Sequence, residues 1–129
     1  MALATQDIVE ITQLYAAYNL AVDDGDGEAF AGCFVPDGAF DPGGGELITG
    51  TAALAAFARS VPAGVPGIRH VGSNVLVDGD GDAASGRSYL TVVIAGAQPT
   101  LLMTGRYRDT LRRDGGRWRF TERIFVADR

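Results

Sequence analysis

The hydrophobic residues in the first half of the chain recur with the period of a helix. Apolar side chains three or four positions apart lie at Ile8, Ile11, Tyr15, Tyr18 and Val22. This spacing predicts an amphipathic first helix over 5–24. The segment 26–35 predicts a short second helix that Asp26 can cap. A third helix is predicted over 50–60, ahead of a loop rich in proline and glycine.

After residue 67 the pattern changes to the alternation of a strand. Four long strands are predicted, over 67–78, 83–95, 100–113 and 116–127. Turns rich in Asp and Gly join the first pair and the last pair, because these residues tolerate positive φ. Two shorter strands are predicted at 39–40 and 46–49. Helices followed by a meander of antiparallel strands define an α+β fold, which we expect to form a single domain over 1–129.

Strand alternation also predicts which side chains share a face. One face of the strand at 100–113 carries Leu101, Met103, Gly105, Tyr107, Asp109 and Leu111. In the last strand, one face carries Trp118, Phe120, Glu122, Ile124 and Val126. The opposite face is mostly arginine, which we expect to be solvated. Arg123 is singled out because it lies beside Phe125 and a curved sheet can switch the face that it encloses.

Composition and charge exclude several classes of function. The net charge of −5 argues against nucleic acid, which needs a basic surface, and against an anionic membrane surface. No apolar run approaches the roughly 18 residues of a membrane span, and the N-terminal segment lacks the basic region of a signal peptide. Cys33 is the one cysteine, so we expect no internal disulfide and a cytoplasmic location. With one histidine and one cysteine, a structural zinc site is not expected.

The candidate chemistry centres on the one histidine, His70. Its strand face also carries Gly72, Asn74 and Leu76. A face with these polar groups indicates a sheet that curves around a cavity and lines it with polar side chains. Glycine, which has no side chain, would leave space in such a cavity. The alternative is a half-exposed histidine at the end of a strand, bound to a carbonyl. Asp23, near the end of the first helix, has no structural role once Asp26 caps the second, and is therefore a candidate general acid or base.

Several segments, in this order, resemble the SnoaL-like branch of the nuclear-transport-factor-2-like (NTF2-like) superfamily, which includes scytalone dehydratase and bile-acid 7α-dehydratase. The resemblance covers nearly the whole chain. It is carried by Tyr18 with Asp23 in YNLAVDDGD, FVPDGAF at 34–40, Gly50, RHVGSN at 69–74 and the closing strands over 105–123. It implies a cone, in which a strongly curved, mostly antiparallel sheet of about six strands and three helices from the N-terminal half enclose a pocket.

The resemblance also implies a set of site residues. In the dehydratases a tyrosine, an aspartate, a histidine and an arginine converge in the pocket without a metal or an organic cofactor. The matching residues here are Tyr18, Asp23, His70 and Arg123, and no metal or cofactor is expected. His70, held by Asp23, can act as a base and then as an acid. Tyr18 and Arg123 can stabilise an enolate oxygen, although Tyr18, like Tyr15, can instead be a core residue.

The expected pocket lining is largely apolar, which predicts a ring-sized ligand. It comprises Tyr15, Phe30, Phe34, Phe57, Asn74, Leu76, Tyr89, Leu102, Met103, Trp118 and Ile124. Where a further acid or histidine is sought, the segment 89–95 offers only Tyr89 and Thr91 as polar side chains. Dehydration, isomerisation and cyclisation therefore all stay open.

Three functions fit these expectations. The first is a cofactor-independent lyase or isomerase that acts next to a carbonyl on an apolar cyclic, polyketide- or steroid-like molecule. The second is a non-catalytic protein that binds a small apolar molecule, and the third is an accessory subunit of the ring-hydroxylating dioxygenase type. An Asp23–His70 pair favours the first, and a solvated His70 favours the others. The resemblance also implies a homodimer, or a trimer, because members of the superfamily commonly cover the outer face of the sheet by pairing.

Overall fold

The computed structural model describes residues 2–129. Three helices and six strands follow one another in the order α1 (Thr5–Asp24), α2 (Gly27–Gly32), β1 (Phe34–Asp41), β2 (Ile48–Thr49), α3 (Thr51–Gly64), β3 (Ile68–Asp80), β4 (Ala83–Ile94), β5 (Thr100–Asp114) and β6 (Arg117–Ala127). The predicted α+β class is confirmed, with helices in the N-terminal half and long strands after them. Within residues 2–129, no helix combines the length and the apolarity needed to cross a membrane.

All six strands form one sheet, in the order β2-β1-β6-β5-β4-β3. Neighbouring strands are antiparallel, except that β1 and β6 run parallel, a pairing that the predicted meander does not contain. The three helices pack on one side of the sheet, where α1 contacts β3 and β6. We call this side the inner face. A largely aromatic core fills the space between the inner face and the helices.

The predicted cap of the second helix and the two predicted hairpin turns are confirmed, whereas the cap of the first helix is Ala4 and not Thr5. Gly25 ends α1 in the left-handed conformation, with φ 66°. The Asp26 carboxylate caps α2 by accepting a hydrogen bond from the backbone N–H of Ala29 at 3.1 Å. The two long hairpins turn at glycines of positive φ, Gly81 in the first and Gly115 with Gly116 in the second. These positions need glycine because positive φ is costly for residues that carry a Cβ.

Four predicted boundaries are corrected by the structure. The second helix ends at Gly32 instead of residue 35, and β1 begins at Phe34. The register of β1 against β6 shifts between Phe34 and Ala39, so the segment 36–38, which lies between the predicted helix and the predicted strand, is an irregularity within one strand. The third helix continues past Pro62 to Gly64. The second strand is reduced to Ile48–Thr49.

Three bulges decide which side chains reach the inner face. One lies in β5, where Val92 pairs with Met103 but Val93 pairs with Leu101. In β3, the register against β4 shifts between Ser73 and Leu76, and Asn74 has a left-handed φ of 56°. In β6, Thr110 pairs with Glu122 but Leu111 pairs with Phe120. Each extra residue reverses the alternation beyond it. Leu76 therefore lies on the outer face, and the prediction that it lines the pocket is corrected.

The bulge in β6 places Arg123 on the inner face of the sheet. Trp118 and Phe120 are buried before the bulge, and Arg123 and Phe125 are buried after it. The predicted switch of the enclosed face at Arg123 is confirmed. Ile124 is consequently on the outer face, paired with Arg108, and its predicted place on the pocket wall is corrected for the same reason.

Candidate functional site

A cavity of about 180 Å³ lies between the inner face of the sheet and the helices α1 and α3. Its wall consists of Tyr18, Val22, Phe40, Pro42, Phe57, Val61, Ile68, His70, Leu90, Val92, Leu102, Met103, Tyr107 and Phe125. The polar side-chain atoms of this wall are one imidazole and two phenol hydroxyls. Among residues 2–129, no group of three His, Cys, Asp or Glu side chains is placed to hold a metal ion.

Asp23 and His70 form a pair at the wall of the cavity. Asp23 Oδ1 lies 2.6 Å from His70 Nδ1. The same carboxylate also accepts the backbone N–H of His70, at 3.0 Å to Oδ1 and 3.1 Å to Oδ2. Both side chains are largely buried, with 12% of His70 and 9% of Asp23 exposed. The expected Asp23–His70 pair therefore exists, and His70 is not a solvated histidine.

The geometry of the pair fixes the role of each imidazole nitrogen. A carboxylate is an acceptor, so Nδ1 carries the hydrogen that faces Asp23. Nε2 is then the basic nitrogen, and His70 contributes to the cavity wall. The contact brings α1 close to β3, and glycine allows this approach, because a Cβ on Gly72 would lie 3.0 Å from Asn19 Nδ2.

Tyr18 and Tyr107 supply the phenol groups of the wall. Tyr18 comes from the buried stripe of α1, and Tyr107 from the inner face of β5. The two rings meet edge to face, with their centres 5.9 Å apart. Burial raises the pKa of Tyr18 well above its ordinary value and also raises the pKa of Tyr107. Both phenols are thus neutral donors at physiological pH.

Arg123 is fully buried behind this wall and is not one of the residues that line it. Its Nε lies 3.0 Å from Asp109 Oδ1, an ion pair rather than a directed hydrogen bond. Asp109 also accepts the Tyr15 hydroxyl at 2.5 Å. Burial raises the pKa of the Asp109 carboxyl, while Arg123 and the Tyr15 hydroxyl act in the opposite direction.

Aromatic rings surround the guanidinium. The Arg123 Cζ atom lies 3.5 Å from the centre of the Tyr107 ring, 4.2 Å from that of Tyr18, 4.6 Å from that of Phe120 and 4.8 Å from that of Tyr15. Cation–π attraction of this kind is strongest where the cation is desolvated. The ion pair and the rings together compensate for the burial of the charge.

The other predicted pocket residues occupy several places. Phe57, Leu102 and Met103 lie on the cavity wall. Three more are core residues behind it, namely Tyr15, Phe30 and Phe34. Trp118 is buried at the opposite end of α1, where its Nε1 donates to Asp7 at 3.0 Å. Asn74, Leu76 and Tyr89 instead line a separate depression of about 380 Å³ on the outer face of the sheet.

Sequence reasoning missed Asp109 and Tyr107 as site residues. The signal was present in the alternation of β5, where both lie on the face that also carries Met103 and Leu111. An acid on an otherwise apolar face needs a buried cation as its partner. The switch of face at Arg123 supplies that cation, and the two side chains are paired across β5 and β6.

Fold and sequence together define the class of this protein. The profile of the SnoaL-like domain family matches residues 4–124. The chain belongs to this family, and the resemblance to the SnoaL-like branch of the NTF2-like superfamily is confirmed. No protein of curated function matches the sequence.

Solved structures of similar proteins agree with this assignment. Rv3472 from Mycobacterium tuberculosis, a protein of unknown function, is 40% identical, with a TM-score of 0.87 over 95% of this chain and 72% of that one. An NTF2-like protein with a cystatin-like fold from Novosphingobium aromaticivorans is 29% identical, with a TM-score of 0.84 over 95% of this chain and 82% of that one. A candidate scytalone dehydratase from the same organism is 21% identical, with a TM-score of 0.81 over 95% of this chain and 84% of that one; at this identity the similarity shows the fold alone.

Proposed function

We propose that this protein is a cofactor-independent lyase or isomerase that moves protons next to a carbonyl group on an apolar cyclic molecule. One observation carries the proposal, namely the 2.6 Å contact between Asp23 and His70 on the wall of an apolar cavity. A carboxylate that holds Nδ1–H leaves Nε2 as a base aimed at a bound ligand. General acid–base catalysis needs a positioned side chain of this kind to take up and return the proton.

The proton transfers balance without a redox step. His70 Nε2 takes the proton from the carbon next to the carbonyl, and the electron pair of that C–H bond moves to form the enolate. In a dehydration, the enolate electrons then form the new C=C bond as the C–O bond to the hydroxyl breaks. His70 returns its proton to the leaving oxygen, which departs as water. In an isomerisation, His70 returns the proton to a different carbon.

The size of the cavity favours a small ring system. An apolar cavity of about 150 Å³ can hold benzene, so about 180 Å³ encloses one ring or a compact pair of rings. Leu102 and Met103 line the cavity and remain 44% and 42% exposed. A longer substrate, such as a polyketide-derived chain of rings, would insert its reacting ring and rest the remainder against these two side chains.

A second candidate function is non-catalytic binding of the same kind of apolar molecule. It is favoured by the withdrawal of Arg123 from the wall, which leaves a mostly hydrocarbon surface with few polar atoms. Pockets of this composition bind ligands by burial of apolar area. Both functions share a cavity and differ in whether His70 transfers protons.

Proton exchange separates the two functions. One- and two-ring β-hydroxy ketones are incubated with the protein in deuterium oxide. NMR reports deuterium at the α-carbon, and absorbance reports the conjugated product of water loss. We expect exchange or water loss by the wild type, and a decrease of about a hundredfold or more in His70→Gln and Asp23→Asn. Asp24→Asn, a change at the exposed neighbour of Asp23, is the matched control. Ketones that bind without any exchange would establish the binding function instead.

A further inference from the structure

We propose that Tyr107 is a catalytic residue that donates a hydrogen bond to the carbonyl oxygen of the substrate, and that Arg123 acts through Tyr107 as a positioning residue. This inference rests on the proposed function, because it concerns the same cavity and the same enolate. It replaces the expectation that Arg123 touches the substrate.

The first argument is access. Tyr107 lies on the cavity wall and Arg123 does not. The Arg123 guanidinium is instead stacked on the Tyr107 ring, with its Cζ atom 3.5 Å from the ring centre. A ligand in the cavity thus meets the Tyr107 ring before it could meet the guanidinium.

The second argument is the contact between Arg123 and the two phenols of the wall. The Arg123 Cζ atom lies 3.5 Å from the centre of the Tyr107 ring and 4.2 Å from that of Tyr18. Tyr107 is therefore the phenol that lies closer to the buried cation. Tyr18 lies on the same wall and acts as a second donor whose contribution is smaller.

The third argument is electrostatic. An enolate needs donors that are already in place when its charge develops. The Arg123 cation next to the Tyr107 ring favours negative charge on the phenol oxygen and so strengthens the bond that Tyr107 donates. Asp109 holds the guanidinium in this position through the ion pair at 3.0 Å. The chain of contacts thus runs from Asp109 through Arg123 to Tyr107 and the ligand.

Binding of a phenolate tests the inference without any turnover. Para-nitrophenolate resembles a planar enolate, and its absorption maximum reports the hydrogen bonds to its oxygen. Para-nitrotoluene has nearly the same shape, carries no oxyanion and serves as the control for folding and for access to the cavity. Both ligands are titrated into wild type, Tyr107→Phe, Tyr18→Phe and Arg123→Lys, at a pH where the free nitrophenol is ionised.

We expect Tyr107→Phe to weaken nitrophenolate binding about ten- to a hundredfold and to leave nitrotoluene binding unchanged. Tyr18→Phe should cause a smaller loss, and Arg123→Lys should move the absorption maximum of bound nitrophenolate towards its value in Tyr107→Phe. The inference is overturned if Tyr107→Phe binds nitrophenolate like the wild type, if Tyr18→Phe shows the larger loss, or if the wild type binds neither aromatic ligand. Since ketone turnover is not measured, failure here is distinct from failure of the proposed function.

Discussion

At the scale of single residues, the Asp109–Arg123 pair is the most unusual feature of the molecule. Arg123 is 1% and Asp109 is 4% exposed, so both charges have lost nearly all of their hydration. Burial of one charge without the other is strongly unfavourable, whereas an apolar pair of similar volume can be as stable as the ion pair. The two residues therefore depend on each other for stability, apart from any role in the site.

This dependence predicts a non-additive pair of mutations. Arg123→Met alone should lower the free energy of unfolding by about 3–5 kcal/mol, because it leaves Asp109 buried without its cation. The double variant Arg123→Met with Asp109→Leu should lose less than the sum of the single variants. Urea denaturation measures all three. Arg119→Met, at an arginine 3.9 Å from Asp114, is the control and should change stability little. Additive losses would mean that the two charges do not stabilise each other.

Asp7 anchors the start of α1 to the last hairpin. It accepts hydrogen bonds from Arg113 at 2.6 Å and from Trp118 Nε1 at 3.0 Å. The bonds from these side chains lower the pKa of Asp7 from 3.8 to about 2. A carboxyl whose pKa is lower in the folded state stabilises the protein at any pH above its unfolded value, and this contribution is lost as the pH falls through the folded value.

Asp7→Asn should therefore be less stable than the wild type at neutral pH. The difference should be constant down to about pH 4 and should shrink towards zero near pH 2. Denaturant unfolding of both proteins over this pH range gives the difference directly. Asp37→Asn is the matched control, since Asp37 is 83% exposed and 3.9 Å from its arginine partner. A difference that persists undiminished at the acid end would contradict the role assigned to Asp7.

At the scale of elements, the first helix and the antiparallel succession of the four long strands follow from the sequence. The parallel pairing of β1 with β6 and the faces of three bulged strands do not. The 3.6-residue period predicts α1 with its observed bounds, Thr5–Asp24. A helix makes its backbone hydrogen bonds within its own segment, so the side chains on each face do not depend on pairing with a neighbouring element. A strand has a period of two, so one bulged residue moves every later side chain to the other face. The sequence around Asn74 gives no pattern that distinguishes a bulge from continued alternation, and Leu76 was assigned to the wrong face for this reason.

The Asp23–His70 pair follows from the sequence more completely than its surroundings do. Asp23 and His70 were linked by the family resemblance and by the missing structural role of Asp23. Their 2.6 Å contact depends on the packing of α1 on β3, which no local pattern encodes. The association of Arg123 with Asp109 instead of the ligand depends on the pairing of β5 with β6 at a bulge. Register of this kind is a property of the assembled sheet.

The bulge in β3 predicts an unusual ranking of substitutions at Asn74. Its φ of 56° is tolerated by asparagine and glycine and costs other residues roughly 1–2 kcal/mol. Asn74→Gly should therefore leave the free energy of unfolding nearly unchanged, and Asn74→Val should lower it by about that amount, although valine favours ordinary strands. Ser73→Val, one residue earlier on the outer face, is the control and should be neutral or stabilising. Stabilisation by Asn74→Val would show that β3 has no bulge there.

At the scale of the whole molecule, the two faces of the sheet differ in the side chains that they carry and in their exposure to solvent. The inner face holds the cavity and the buried charges, whereas the outer face leaves large apolar side chains in solvent. Val71, Tyr89, Leu101 and Val126 are between 46% and 64% exposed. Exposed apolar groups on a sheet face favour association with another protein surface. The expectation of a homodimer from the sequence therefore stays a prediction, now located on the outer face.

Sedimentation of two charge variants tests this assembly. Val126→Asp places a carboxylate in the middle of the outer face, beside Arg106 on the neighbouring strand, and should convert a dimer into a monomer because a buried carboxylate in an apolar interface is costly. Val9→Asp makes the same change on α1, at a residue that is 54% exposed, and should leave the dimer intact. If Val9→Asp alone dissociates the protein, the helices and not the sheet form the interface. Because the cavity opens on the inner face, the monomeric variant should still bind para-nitrotoluene, so loss of binding together with loss of the dimer would mean that the partner subunit completes the site.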